Sequence, residues 1–325
     1  MSSSLLEIEN LQTHLMLSEG TARVVDGVSL SIKKGETLAL VGESGCGKTM
    51  TAYSILRLVP SPPGRIVGGK IFFEGDDILA IPERKMREVR GNKISMVFQE
   101  PLTSLNPVFR VGSQIAEVLQ VHRNMKKKQA MQHAVKLLKD VGIPSPEQRV
   151  RDYPHQMSGG MRQRVMIAIA LACEPKLVIA DEPTTALDVT VQAQIMELLH
   201  HLKEKRDMAL LLITHDLGVV AETAENVAVM YAGRIIEYTD VKTIFKNPLN
   251  PYTRGLLESL PRFGIERLKP IKGMIPPVVN LPEGCKFSTR CEHVFDKCLS
   301  AEPDLFNIDS DNGRKHLVRC WLCQQ

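Results

Sequence analysis

The sequence predicts an α/β fold with a mostly parallel sheet. It also predicts antiparallel strands ahead of that sheet, a helical insert within it and a small cysteine-bearing extension after it. Three observations carry this prediction. Short apolar runs alternate with helix-period segments over residues 37–58 and 177–230, and strands that alternate with helices pair in parallel. The run Thr37-Leu38-Ala39-Leu40-Val41 enters Gly42-Glu43-Ser44-Gly45-Cys46-Gly47-Lys48-Thr49 in the order strand, loop, helix. From Gln99 to about Arg164 the strand pattern gives way to helical spacing.

Bulk properties narrow the class. The 325 residues suffice for one large or two modest domains. Hydrophobic content of 43% against 24% charged residues implies a packed core. A net charge of +4 is too weak to argue for nucleic acid, and Lys126-Lys127-Lys128 reads as the solvated start of a helix. No apolar stretch approaches the roughly 20 residues of a membrane span. The N-terminus has neither the basic nor the apolar part of a signal peptide. The expectation is a chain that is neither secreted nor membrane-spanning, but able to dock on a membrane protein. Seven cysteines in such a setting point to metal or packing rather than disulfides.

In order, residues 5–40 read as antiparallel strands, because Val28, Leu30 and Ile32 alternate with Ser29, Ser31 and Lys33. Lys34-Gly35 turns into the next strand. A helix over Met50–Leu58 ends in Pro60-Ser61-Pro62-Pro63-Gly64. Lys70–Glu74 and Ile94–Phe98 are strands, the second running into Gln99. Ile115, Val118 and Leu119 share a helix face, as do Met131, Ala134, Val135, Leu138 and Val141, with Pro144 and Pro146 ending the second helix. Leu177–Ala180 is a short buried strand. Val191, Ile195, Leu198, Leu199 and Leu202 line the inner face of a helix. Ala209–Ile213 and Val227–Met230 are strands, followed by a hairpin over residues 231–237. The expected division is a core of residues 1–98 and 165–246, a helical subdomain 99–164 and a C-terminal extension 247–325, proline-rich to residue 284.

Gly42–Thr49 fits G-x-x-x-x-G-K-[ST], the phosphate-binding P-loop. Glycines free its backbone to turn N–H groups inward, and the helix that follows adds its positive end. Lys48 is placed for the β- and γ-phosphates, Thr49 for Mg²⁺. Asp181-Glu182 ends a buried strand. Asp181 there can hold the Mg²⁺ shell, and Glu182 can orient or deprotonate an attacking water. Gln99 and His215 also sit at strand ends, Gln99 placed for Mg²⁺ or the water and His215 for the γ-phosphate. Ser158-Gly159-Gly160 before an amphipathic helix is a second anion-binding helix start. One ATP does not need two such sites on one chain, so a head-to-tail dimer with two ATP is expected.

Together these motifs resemble the ATP-binding subunit of an ABC transporter. Gly42–Thr49 matches Walker A, Gln99 the Q-loop and Ser158-Gly159-Gly160 the signature. Leu177–Asp181 matches Walker B with Glu182 as the catalytic glutamate, Ala186-Leu187-Asp188 the D-loop and His215 the switch histidine. The resemblance covers about residues 5–245 and implies an ATPase. The signature reads Met-Ser-Gly-Gly-Met where Leu-Ser-Gly-Gly-Gln is commonest. The family's adenine-stacking aromatic is also missing: its position falls near Leu15, leaving His14, Leu15 or Arg23 to pack on the base. Long coiled-coil insertions or a second cassette, which mark family members acting on DNA or the ribosome, are lacking.

Glu100-Pro101-Leu102-Thr103-Ser104-Leu105-Asn106-Pro107, Tyr153-Pro154-His155-Gln156 and Asn250-Pro251-Tyr252-Thr253 look like the dipeptide/oligopeptide importer branch, which includes nickel uptake systems. That likeness implies integral membrane permease subunits as partners, docked on the helical insert. It also implies a second ATPase subunit, related or identical, an extracytoplasmic substrate-binding protein in the complex, and a place on the cytoplasmic face of the membrane. Cys285, Cys291, Cys298 and Cys320 are spaced C-x5-C-x6-C-x21-C. Four thiolates can hold a [4Fe–4S] cluster or Zn²⁺. The first three lack the tight C-x2-C pair usual for zinc, and the similar tail of peptide-importer ATPases is associated with iron–sulfur. Cys323 is an alternative fourth ligand, and Cys46 and Cys173 read as packing residues.

Overall fold

A computed structural model describes residues 4–185, 187–260, 271–309 and 315–324. Ala186 of the expected D-loop and residues 261–270 of the proline-rich segment lie outside the described residues. The strands are β1 (Ser4–Leu17), β2 (Gly20–Lys33), β3 (Thr37–Val41), β4 (Gly64–Phe73), β5 (Asp76–Asp77), β6 (Ile94–Val97), β7 (Leu177–Asp181), β8 (Ala209–Thr214), β9 (Asn226–Tyr231), β10 (Arg234–Asp240), β11 (Phe306–Asp309) and β12 (Lys315–Val318). The helices are α1 (Lys48–Ile55), α2 (Glu83–Val89), α3 (Pro101–Ser104), α4 (Val111–Arg123), α5 (Lys127–Asp140), α6 (Pro146–Arg149), α7 (Gly159–Ala170), α8 (Val189–Arg206), α9 (Leu217–Thr223), α10 (Val241–Lys246), α11 (Pro251–Glu258) and α12 (Asp296–Ser300). The chain divides into two compact units, the first of residues 1–33, 37–79 and 213–325, the second of 34–36 and 80–212.

In the first unit β2, β1, β4 and β5 form an antiparallel sheet in that order. Its alternation is the sequence's own: Val28, Leu30 and Ile32 are buried while Ser29 faces out. Strand β3 is buried at all five positions, as a strand covered on both faces must be, and it pairs in parallel with β9. From β9 outward the pairing turns antiparallel, through β10 to β12 and β11. The extension thus adds a hairpin to the sheet edge, which the sequence reading did not anticipate. Tyr231, Tyr252 and Phe287 pack as an aromatic cluster beneath this part of the sheet, with ring centroids 4.7–5.4 Å apart.

In the second unit β6 and β7 pair in parallel and are buried along their lengths. Helices α4, α5 and α7 pack together. The inner face of α4 is Val111, Ile115, Ala116 and Leu119, and that of α5 is Ala130, Ala134, Leu137 and Leu138, while Val118, Met131 and Val135 are half-buried. Helix α5 stops at Asp140, ahead of Gly142 at φ +73°. Pro144 and Pro146 lie beyond that end, and Pro146 opens α6, its fixed φ suiting the first turn. Among the described residues no helix is long and apolar enough to cross a membrane.

Candidate nucleotide site

The P-loop belongs to the first unit. Helix α1 starts at Lys48, with Gly47 at φ +110° as its N-cap. A Cβ there would run into the Val24 carbonyl, and one on Gly42 into the Met230 carbonyl, so both positions demand glycine. Ser44 and Gly45 are exposed at the crest. Lys48 is almost fully buried, and its Nζ donates to the carbonyls of Gly42 (2.8 Å) and Glu43 (3.1 Å). The ammonium is thereby held inside the loop that it serves. Cys46 is buried at its base, and its carbonyl accepts from the Gly233 N–H. Burial pushes the Cys46 thiol upward, against a smaller opposing pull from Lys48. Thr49 is half-buried in the first turn of α1. His215 is exposed just past the end of β8, and Asp216 after it caps α9 by accepting from the N–H groups of Gly218 and Val219.

The second unit gathers the other motif residues. Asp181 closes β7 with 1% of its surface exposed. Glu182 follows at φ +45°, a left-handed turn that swings the chain off the strand. Its Oε2 accepts from Gln99 Nε2 and from Thr185 Oγ1, both at 3.0 Å. Ser158 is the N-cap of α7, its Oγ accepting from the Met161 N–H at 3.3 Å, and Gly159 and Gly160 form the first turn. A Cβ on Gly160 would press on Val191 of α8. Asp188 caps α8 by accepting from the Val191 N–H at 2.9 Å.

The three residues named for adenine do not share a surface. His14 pairs with Arg23 and Leu15 with Ala22 across the β1–β2 hairpin. Successive side chains of a strand point to opposite faces. His14, Met16, Thr21 and Arg23 accordingly line one cavity with Val279 and Leu281 of the extension, and Leu15 is not part of it.

Two residues in direct contact with the P-loop were missed by the sequence reading as site residues. The Glu43 N–H donates to Tyr252 Oη at 2.9 Å, and the Glu43 carboxylate takes both Nη atoms of Arg290, at 2.6 and 3.0 Å. Tyr252 lies in the Asn250-Pro251-Tyr252-Thr253 stretch, whose geometry is now explained: Asn250 caps α11, Pro251 occupies its first turn and Tyr252 faces inward. Cys285, Cys291, Cys298 and Cys320 line one pocket with Phe287, His293 and Trp321. Burial pushes the Cys285 thiol up to about 11, with the neighbouring thiols adding to it. Cys323 is not on the lining, and its N–H bonds the Cys320 carbonyl. Among the described residues no group of three or more His, Cys, Asp or Glu is placed to hold a metal ion, so no such donor set supports either the expected [4Fe–4S] site or its zinc alternative. Cys173 is buried in packing.

Comparison with known proteins agrees with this geometry. The ABC transporter family pattern matches residues 25–185, and the oligopeptide/dipeptide transporter C-terminal region matches residues 236–298. The oligopeptide transport ATP-binding protein AppD of Bacillus subtilis is 53% identical over 99% of this chain and 98% of its own length. The dipeptide transport ATP-binding protein DppD of the same organism is 48% identical over 98% of this chain and 95% of its own. Among solved structures, the dimeric post-hydrolysis state of the ATP-binding cassette MJ0796 bound to ADP and Pi is similar at a TM-score of 0.65 and 26% identity, over 73% of this chain and 98% of that one. The chain belongs to the ATP-binding subunits of ABC transporters, in the oligopeptide/dipeptide branch.

Proposed function

We propose that this chain hydrolyses ATP to drive uptake of di- and oligopeptides through a membrane permease. The observation that carries the reading is full-length similarity to peptide-transport ATP-binding proteins, extending through the C-terminal region as well as the ATPase core.

Each motif residue has a role in that cycle. The P-loop backbone from Gly42 to Thr49, with Lys48, cradles the phosphates, and Thr49, Gln99 and Asp181 serve Mg²⁺. Glu182 orients and deprotonates the attacking water. His215 is the γ-phosphate contact, and Lys48 is placed to meet developing charge, to which Mg²⁺ would add its own charge when bound. Ser158, Gly159 and Gly160 at the start of α7, with Asp188, serve the ATP held by a second ATPase subunit, a related chain or a copy of this one. Supporting this are the capped N-terminus of α7 and the dimeric cassettes among the similar structures. The helical subdomain 99–164 receives the permease at the cytoplasmic face of the membrane, and a substrate-binding protein delivers cargo outside.

The extension is assigned a [4Fe–4S] cluster on Cys285, Cys291, Cys298 and Cys320. Supporting it is that these four thiols line one pocket, together with Phe287, His293 and Trp321. When bound, the cluster would serve to fix this loop-rich segment.

Uptake of labelled di- and oligopeptides, with nickel in parallel, by cells carrying the native chain or Glu182→Gln tests the reading. Loss of peptide uptake alone is expected. Loss of nickel uptake alone would move the cargo class, and unchanged uptake of both, in cells lacking paralogues, would overturn the importer assignment.

A further inference from the structure

We infer that Arg290 and Tyr252 are positioning residues of the ATP site, through which the C-terminal extension sets the charge and shape of the P-loop. The inference rests on the P-loop binding ATP and goes beyond it. Glu43 is the sole acid within Gly42–Thr49, and an uncompensated carboxylate in a phosphate cradle repels its ligand. All three of its polar handles are taken. Its carbonyl accepts from Lys48 Nζ at 3.1 Å, its N–H donates to Tyr252 Oη at 2.9 Å, and its carboxylate is forked by Arg290 at 2.6 and 3.0 Å.

The clamp is rigid on the extension side. The Arg290 side chain is 3% exposed. Its guanidinium lies 5.8 Å from the Tyr231 ring and 5.9 Å from the Phe287 ring, and its Nε donates to the Lys272 carbonyl at 3.0 Å. Tyr252 is fully buried against the same two rings. A bidentate fork backed by packed aromatics fixes both position and direction. The loop that must present its N–H groups in one arrangement is therefore held from a segment that is not part of the ATPase core motifs. Arg290 also immediately precedes Cys291 of the cysteine pocket, so disorder in that pocket would reach the P-loop in one residue.

The test compares ATP affinity, measured with a non-hydrolysable analogue, and single-turnover hydrolysis at saturating ATP in the assembled complex. Arg290→Ala should raise the Kd for ATP by roughly tenfold, since it leaves Glu43 charged beside the phosphates. Adding Glu43→Gln to that variant should restore affinity to within about threefold of the native value, because the repelling charge is gone. Tyr252→Phe, which removes one hydroxyl, should slow single turnover while changing Kd by less than about threefold. Should Arg290→Ala fail to fold, Arg290→Lys serves: it keeps charge, loses the fork, and should slow single turnover with little change in Kd. Native ATP affinity and turnover in a folded Arg290→Ala, or a double variant as weak as the single one, would overturn the inference. A native chain that binds no ATP would instead overturn the reading on which it rests.

Discussion

Gln99 Nε2 donates to Glu182 Oε2 at 3.0 Å, and Thr185 Oγ1 donates to the same oxygen at 3.0 Å. Two residues from different segments therefore aim the carboxylate proposed to activate water. A general base works only from the right position. Gln99→Ala should lower the hydrolysis rate by about tenfold with little change in ATP affinity, since it frees the carboxylate without removing it. Steady-state hydrolysis and analogue binding on the same preparation separate the two. Equal loss in both would mean that Gln99 acts chiefly through the Mg²⁺ of bound ATP rather than through Glu182.

Gly47, like Gly42, is a P-loop glycine at which a Cβ would meet backbone. It combines φ +110° with a Cβ position that would meet the Val24 carbonyl. Gly47→Ala should destabilise the fold by about 1–3 kcal/mol from backbone strain alone and abolish analogue binding. Gly45→Ala, where a Cβ has open space but φ is +79°, should be milder in binding and is the control.

Cys46 is 1% exposed, and burial raises its thiol above the usual range. At pH 8 it is therefore a thiol rather than a thiolate, and thiols are poor nucleophiles. Mass spectrometry after iodoacetamide treatment of the folded protein at pH 8 should find Cys46 unmodified, and after unfolding in denaturant fully modified. Rapid labelling in the folded state would contradict the observed packing.

Glu237 on β10 is fully buried. It accepts from the N–H groups of Leu249 (2.7 Å) and Asn250 (3.0 Å), with His316 Nε2 at 2.8 Å. It ties the sheet edge to the start of α11 and to β12. Glu237→Ala should cost about 3–5 kcal/mol, the range for breaking a buried polar pair by removing one partner. Denaturant midpoints monitor it, and a loss below about 1 kcal/mol would mean that the site is solvated.

These residues show why some of the molecule was legible in sequence and some was not. Strand β3 and the loop after it are local: five apolar residues and a fixed glycine pattern dictate their own geometry. The same holds for Ser158 and Asp188, which cap helices through the third residue onward. The grip on Glu43 comes from partners 209 and 247 positions away. Neither Tyr252 nor Arg290 carries a local sign of that contact. Glu237 reads as an ordinary polar residue in a strand, because nothing nearby in sequence foretells the β11–β12 hairpin that covers it. The positions offered for adenine, His14, Leu15 and Arg23, fell on two faces because pleat direction depends on strand register, which composition does not fix.

The most direct measurement is ATP turnover by the assembled complex carrying Glu182→Gln, with nucleotide content determined in parallel. The account predicts hydrolysis reduced by at least about a hundredfold, with ATP retained in a closed pair of ATPase subunits. Wild-type turnover in that variant would contradict it, since the chemistry would then not depend on the carboxylate that Gln99 and Thr185 hold.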